Sequence, residues 1–244
     1  MTLVHPVSAS ESLQIAEYAR RMLPLADMQL SSERCYRSLT LCVIDAVFSI
    51  NARYSAVENV VSRYCTRFHL SPWREDFECL PARQEQDRIE DLCRRYEDFG
   101  IERMADEVFC NRQRTSSRSG ILKAEAVGRF AEVLHSRGMD CLQDVPKALS
   151  DSGIEADVRG IPGQGSGLSL RYFWMLCGVQ DRIKPDRMIL RFLRESIGRG
   201  VASEEAEDLM RAAARLLQAE FPHLTPLRLD HLAWMHESSK AVSE

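Results

Sequence analysis

No run of apolar residues in this sequence is long enough to cross a bilayer as a helix. The most apolar stretch, residues 39–50, is short and contains Asp45. Basic excess is also missing: the formal net charge is −4, which argues against a protein that coats nucleic acid without selectivity. Eight cysteines are present, yet none forms a CxxC pair or a cluster with metal-ligand spacing. Most of them sit among apolar residues, the setting of reduced core thiols, so no metal and no cofactor is expected. The six histidines are scattered and form no recognisable ligand set. No basic, apolar and small-residue succession opens the sequence, so no signal peptide is read and a cytoplasmic location is expected. Alternation of apolar and polar residues never persists long enough for a strand, and no internal repeat is visible.

What is present is helical periodicity almost throughout. Apolar content of 45% and charged content of 28% suit a globular chain with a sizeable core. Start signals recur. Ser8-x-x-Glu11 and Ser55-x-x-Glu58 read as capping boxes, and Ser31 and Ser32 precede an apolar helix through Leu39, Leu41, Val43, Ile44 and Val47. Ser71-Pro72 and Thr225-Pro226 each place a cap before a proline at the first helical position. Further helices are predicted near 83–98, 101–109, 121–137, 144–151, 155–160 and 168–178, with others opening at Asp186 and Ser203. The expected fold is all-α.

One segment breaks this rhythm. Ile161-Pro162-Gly163-Gln164-Gly165-Ser166-Gly167 carries three glycines in five residues directly before an apolar helix. Such a turn lets backbone approach another molecule, and amides converging at a helix start form an anion site that suits a phosphodiester. Gln164 and Ser166 add side-chain donors. About five helical turns of chain later, Lys184-Pro185-Asp186 returns a carboxylate at the cap position of a helix running through Ile189, Phe192 and Leu193. Residues 111–138 hold Arg112, Arg114, Arg118, Lys123, Arg129 and Arg137 against Glu125 and Glu132 alone, a local excess of four positive charges. Acidic residues gather elsewhere, around 85–97 and 204–208.

The order of hairpin, helix and Asp186 resembles the helix-hairpin-helix DNA glycosylases, the superfamily of endonuclease III. The likeness is strongest over 161–190 and extends over about 40–190. Phe48-Ser49-Ile50-Asn51-Ala52 is similar to the family's early helix end, whose amide enters the gap left by a flipped base. The resemblance implies a two-lobed helical fold with DNA in the groove between the lobes. Residues 29–180 would form the central lobe and 1–28 with 181–244 the other. It implies monofunctional hydrolysis of the N-glycosidic bond to a damaged or mismatched base in duplex DNA. Gly163, Gln164, Gly165, Ser166 and Gly167 would hold phosphate, with Arg112, Arg114 and Arg118 contacting backbone and Asn51 as the plug. Asp186 would be the catalytic carboxylate, stabilising the sugar cation or activating water. Tyr54 and Trp174 are candidates for the base pocket, and Phe48, Trp73 and Tyr172 for further stacking.

The sequence departs from the family at Gly167, where bifunctional members carry the lysine that attacks the sugar. The four closely spaced cluster cysteines near the C-terminus are also missing, so no iron–sulfur cluster is expected. Two alternatives stay open: a DNA-binding protein of the same fold without catalysis, and a helical scaffold unrelated to DNA. No membrane partner is expected, and a monomer is the default.

Overall fold

The computed structural model describes residues 9–27, 35–75, 79–117 and 119–242. Among them the only regular elements are helices, and the only β contacts are the isolated bridges Tyr36–Trp73 and Arg114–Leu122. The chain divides into two compact units. One comprises residues 1–30 and 179–244, the other residues 31–178. The starts proposed at Ser8, Ser31 and Ser32 lie outside the described residues, as does Arg118.

The first unit is built from α1 (Ala9–Met22), α9 (Arg187–Ile197), α10 (Ser203–Leu217) and α11 (Pro226–Val242). In α1, Ser12, Ile15, Ala16 and Ala19 form one buried stripe at helical spacing. The alanines let α1 lie close to Ala206, Ala213 and Ala214 of α10 within one core. α9 is sharply two-faced. Ile189, Phe192 and Leu193 are buried, each contributing about 1.5–3 kcal/mol by leaving water, while Arg187 and Arg194 face outward. α9 stops at Gly198, which takes φ +76, a left-handed conformation glycine adopts without penalty. Thr225 caps α11 through its Oγ, 3.3 Å from the Arg228 amide, and Pro226 takes the first helical position as the sequence indicates. Glu237 of α11 is fully buried and is satisfied by Arg191 and by Lys240, the latter at 2.9 Å. This ties α11 to α9.

The second unit is organised around α2 (Leu39–Phe48), all ten of whose residues are buried. A helix apolar on every side must be surrounded, and α3 (Tyr54–Phe68), α4 (Ile89–Arg103), α5 (Lys123–Ser136) and α8 (Leu168–Leu176) all pack on it. Asp45, the one carboxylate in α2, accepts from the Tyr36 hydroxyl at 2.8 Å and from Ser49 Oγ at 2.7 Å. α4 kinks at Gly100 and continues into a π turn over Met104–Val108. α6 (Val145–Ala148) and α7 (Ser152–Gly160) precede the glycine-rich segment.

Two start signals act differently from their sequence reading. Ser71-Pro72 begins no helix; its strand-like neighbour Trp73 bridges to Tyr36 and stacks on that ring at 4.8 Å. α3 opens two residues early, with Arg53 in the cap position and without a side-chain cap bond, so Ser55 lies inside the first turn rather than at the cap.

Candidate functional site

The glycine-rich segment joins α7 to α8 through two successive tight turns. Gln164 N donates to Ile161 O and Gly167 N to Gln164 O, both at 2.9 Å. The amides of Gly163, Gly165 and Ser166 take no part in these bonds, and all three residues are exposed. Gly163 has φ +86, and a Cβ there would lie 2.2 Å from Thr115 Oγ1. Its lack of a side chain is therefore demanded from inside the protein, by Thr115, whose hydroxyl donates to Pro162 O at 2.9 Å. Gly165 is the position with open space around it, and its carbonyl accepts from Arg159 Nε at 3.0 Å. Gly167, at φ +70, is the N-cap of α8.

Gln164 corrects the sequence reading. It is 1% exposed, its Oε1 accepts from Ser169 Oγ, and its Nε2 is buried without a partner. The amide braces the turn against the first turn of α8 and has no access to a phosphate in solvent. Ser166 does remain on the surface, with its Oγ accepting from Leu168 N at 3.3 Å.

Residues far apart in sequence converge on this turn. The loop after Gln113 is closed at its base by the Arg114–Leu122 bridge and by Lys123 N donating to Gln113 O at 2.8 Å. Thr115, 2% exposed, fastens that loop to Pro162. Lys123, which carried no assignment from spacing, turns inward. Its ammonium is buried and donates to Phe48 O at 2.9 Å, Ile50 O at 2.6 Å and Gln113 Oε1 at 2.9 Å. Burial lowers its amine to about 8, while the three carbonyls and the negative end of α2 act the other way, favouring the cation. Lys123 thus clasps the end of α2 just before Asn51, which is exposed and left-handed at φ +48. A run of hydrogen bonds connects the Asn51 segment, the arginine-bearing loop and the glycine turn.

Among the aromatic candidates, Tyr54 is half-buried at the first position of α3, and Tyr172 is half-buried on α8. Trp174 is 7% exposed and lies 4.9 Å from Phe173, so it is a core residue rather than a ready stacking platform. Phe48 is likewise in the core against Phe109.

The basic patch is smaller in space than in sequence. Arg112 is held by Asp106 at 2.8 Å and Glu102 at 2.7 Å, Arg129 by Glu125, and Arg137 by Asp151 and Asp157. With Lys123 buried, Arg114 is the described member of the patch that remains exposed with a carbonyl, Gly120 O at 2.8 Å, as its partner. Carboxylates 6 and 10 residues upstream cancel charge that counting within 111–138 leaves unbalanced.

Asp186 belongs to the other unit. It caps α9, its Oδ1 accepting from Met188 N at 2.8 Å and Ile189 N at 3.2 Å, which leaves Oδ2 outside the cap. Asp230 of α11, which no sequence motif singles out, is 4% exposed and accepts from Lys184 N at 3.1 Å. Burial, and next to it the charge of Asp186, raise its carboxyl well above the usual range. No helix is long and apolar enough to cross a membrane among the described residues.

These features define an all-helical protein with a glycine-rich helix–turn–helix segment in one unit and a helix-capping Asp186 in the other. Residues 13–238 match the family described as Domain of unknown function (DUF8548), and the chain belongs to that family. Neither a curated protein nor a solved structure matches it.

Proposed function

We propose that this chain is a DNA glycosylase-like protein of the helix-hairpin-helix type, acting on a damaged or mismatched base in duplex DNA. The observation that carries the reading is the hydrogen-bonded run from the Asn51 segment through Lys123, Gln113 and Thr115 to the turn at Pro162 and Gly163. It joins, on one unit, the elements that the resemblance assigns to plug, backbone contact and phosphate grip. Gly163, Gly165 and Ser166 are exposed residues whose amides lie outside the turn's own hydrogen bonds, which suits one phosphate, and the exposed Asn51 suits the gap beside it.

In the proposed reaction, water adds to the sugar carbon as the bond to the base breaks, and the base leaves with a proton. Asp186 Oδ2 would face the developing sugar cation or take the proton of the attacking water, while Oδ1 stays committed to the cap and holds the carboxylate rigid. Gly167 supports hydrolysis without strand cleavage. A lysine there is absent, and φ +70 disfavours any L side chain at that position. A second reading, a DNA-binding protein without catalysis, is favoured by one observation: capping alone accounts for Asp186.

The test is binding of the purified protein to short duplexes with a central abasic-site analogue or an undamaged centre, at two salt concentrations. Salt-sensitive preference for the analogue, followed by base release that Asp186→Asn abolishes, is the expected result. Preference without release from any lesion screened would support the binder, and no binding at low salt would remove DNA from the proposal altogether.

A further inference from the structure

The segment that delivers Asp186 rests on Asp230. Lys184 N donates to Asp230 Oδ1 at 3.1 Å, and Asp186 N donates back to Lys184 O at 2.6 Å, closing a three-residue turn through Pro185. Proline fixes its own φ, so this turn has little freedom of its own. Its remaining freedom is removed at one end by Asp230 and at the other by the cap bonds of Asp186 to α9.

Asp230 is an odd occupant for a core position. A residue 4% exposed on the packed side of α11 would ordinarily be apolar, and a buried carboxyl costs stability unless its hydrogen bonds are met. The charged groups that face it are Asp186 and Lys184. Burial and the charge of Asp186 both disfavour ionisation of Asp230, against the Lys184 amide and ammonium, which favour it. We infer that Asp230 is the positioning residue of Asp186: the buried carboxyl that seats the Lys184–Pro185–Asp186 turn by accepting from the Lys184 amide. The raised titration of Asp230 agrees with this arrangement. The inference rests on the reading of Asp186 as the reacting carboxylate, yet the seating itself is measurable without any reaction.

The experiment uses full-length protein and the variants Asp230→Asn, Asp230→Ala and Asp186→Asn. In Asp230→Asn, the amide oxygen replaces the carboxyl as acceptor for Lys184 N. The Met188 and Ile189 amides should then keep their resonances and exchange protection. In Asp230→Ala those two amides should exchange about fivefold faster, the loss expected when a cap loosens by roughly 1 kcal/mol. Carboxyl carbon titration should find the Asp230 midpoint lower in Asp186→Asn than in the wild type. On a duplex that the wild type processes, Asp230→Ala should lower kcat about 10- to 100-fold with KM little changed, and Asp230→Asn should restore it near pH 7. Unchanged amides in Asp230→Ala, or an Asp230 midpoint indifferent to Asp186→Asn, would overturn the inference. Should Asp230→Ala fail to fold, the amide protection of Asp230→Asn and the Asp230 titration in Asp186→Asn still decide it. Absence of turnover by the wild type on every lesion would count against the glycosylase reading alone.

Discussion

Replacing Lys123 with methionine isolates the clasp at the end of α2. Methionine keeps the length and apolar stem of the side chain but removes the ammonium, so Phe48 O, Ile50 O and Gln113 Oε1 lose their shared donor. Leaving three buried or part-buried acceptors unpaired costs about 1–3 kcal/mol each. Against this stands relief from holding a buried cation. The lowering from 10.5 to about 8 corresponds to about 3 kcal/mol at most, at roughly 1.4 kcal/mol per unit. The three acceptors together come to about 3–9 kcal/mol, so the net loss is about 0–6 kcal/mol, a fall in Tm of up to roughly 24 °C for a protein of this size. The sign of the pH dependence follows from the lowered amine. Between about 8 and 10.5 the unfolded chain carries a proton on Lys123 that the folded chain has released. The lysine's contribution is thus present above 10.5 and is lost as pH falls through about 8. Denaturant unfolding of both proteins at pH 7, 8, 9 and 10.5 should show the wild type gaining on Lys123→Met across that window. A difference between the two proteins that stays flat from pH 7 to 10.5 would refute the reasoning.

The other predictions concern single positions. Gly163→Ala puts a Cβ 2.2 Å from Thr115 Oγ1 on a backbone at φ +86, and should cost more than about 2 kcal/mol; pairing it with Thr115→Ser should recover little, because the hydroxyl stays in place. Asp186→Ala should destabilise by about 1 kcal/mol through loss of the α9 cap, whereas Asp186→Asn keeps the cap; calorimetry distinguishes them, and equal Tm values would show that the cap contributes nothing. Arg112→Ala should change duplex affinity less than twofold, because Asp106 and Glu102 already neutralise it, while Arg114→Ala should weaken binding to all sequences and flatten its salt dependence. The midpoint of fluorescence-anisotropy titrations at two salt concentrations reads both. Asp230 makes stability fall with rising pH from about 4 upward, since its folded titration lies above its unfolded one. Asp230→Asn should remove that decline from denaturant unfolding curves measured between pH 4 and 7.

Local chemistry was sufficient for much of this molecule. The α9 start at Asp186, the Thr225-Pro226 start of α11, the all-helical class and the break at 161–167 are all legible in sequence. Each depends on contacts within a few residues: a carboxylate reaching amides two and three positions on, a proline where no amide is needed, glycines where φ turns positive. The same local rules failed at Ser71-Pro72, where stacking of Trp73 on Tyr36 outweighed the helix-start signal. What tertiary structure alone decided was which polar groups are left for solvent. Gln164 and Lys123 look like surface donors in sequence and are buried; Arg112 looks like a free cation and is paired; Asp230, which no motif marks, sits beneath the Lys184 amide. Periodicity reports which face of a helix is apolar, because that is a property of one segment. Whether a charge on that segment meets water, a carbonyl or an opposite charge depends on chain brought from 10 to 75 residues away, and only the packed fold supplies it.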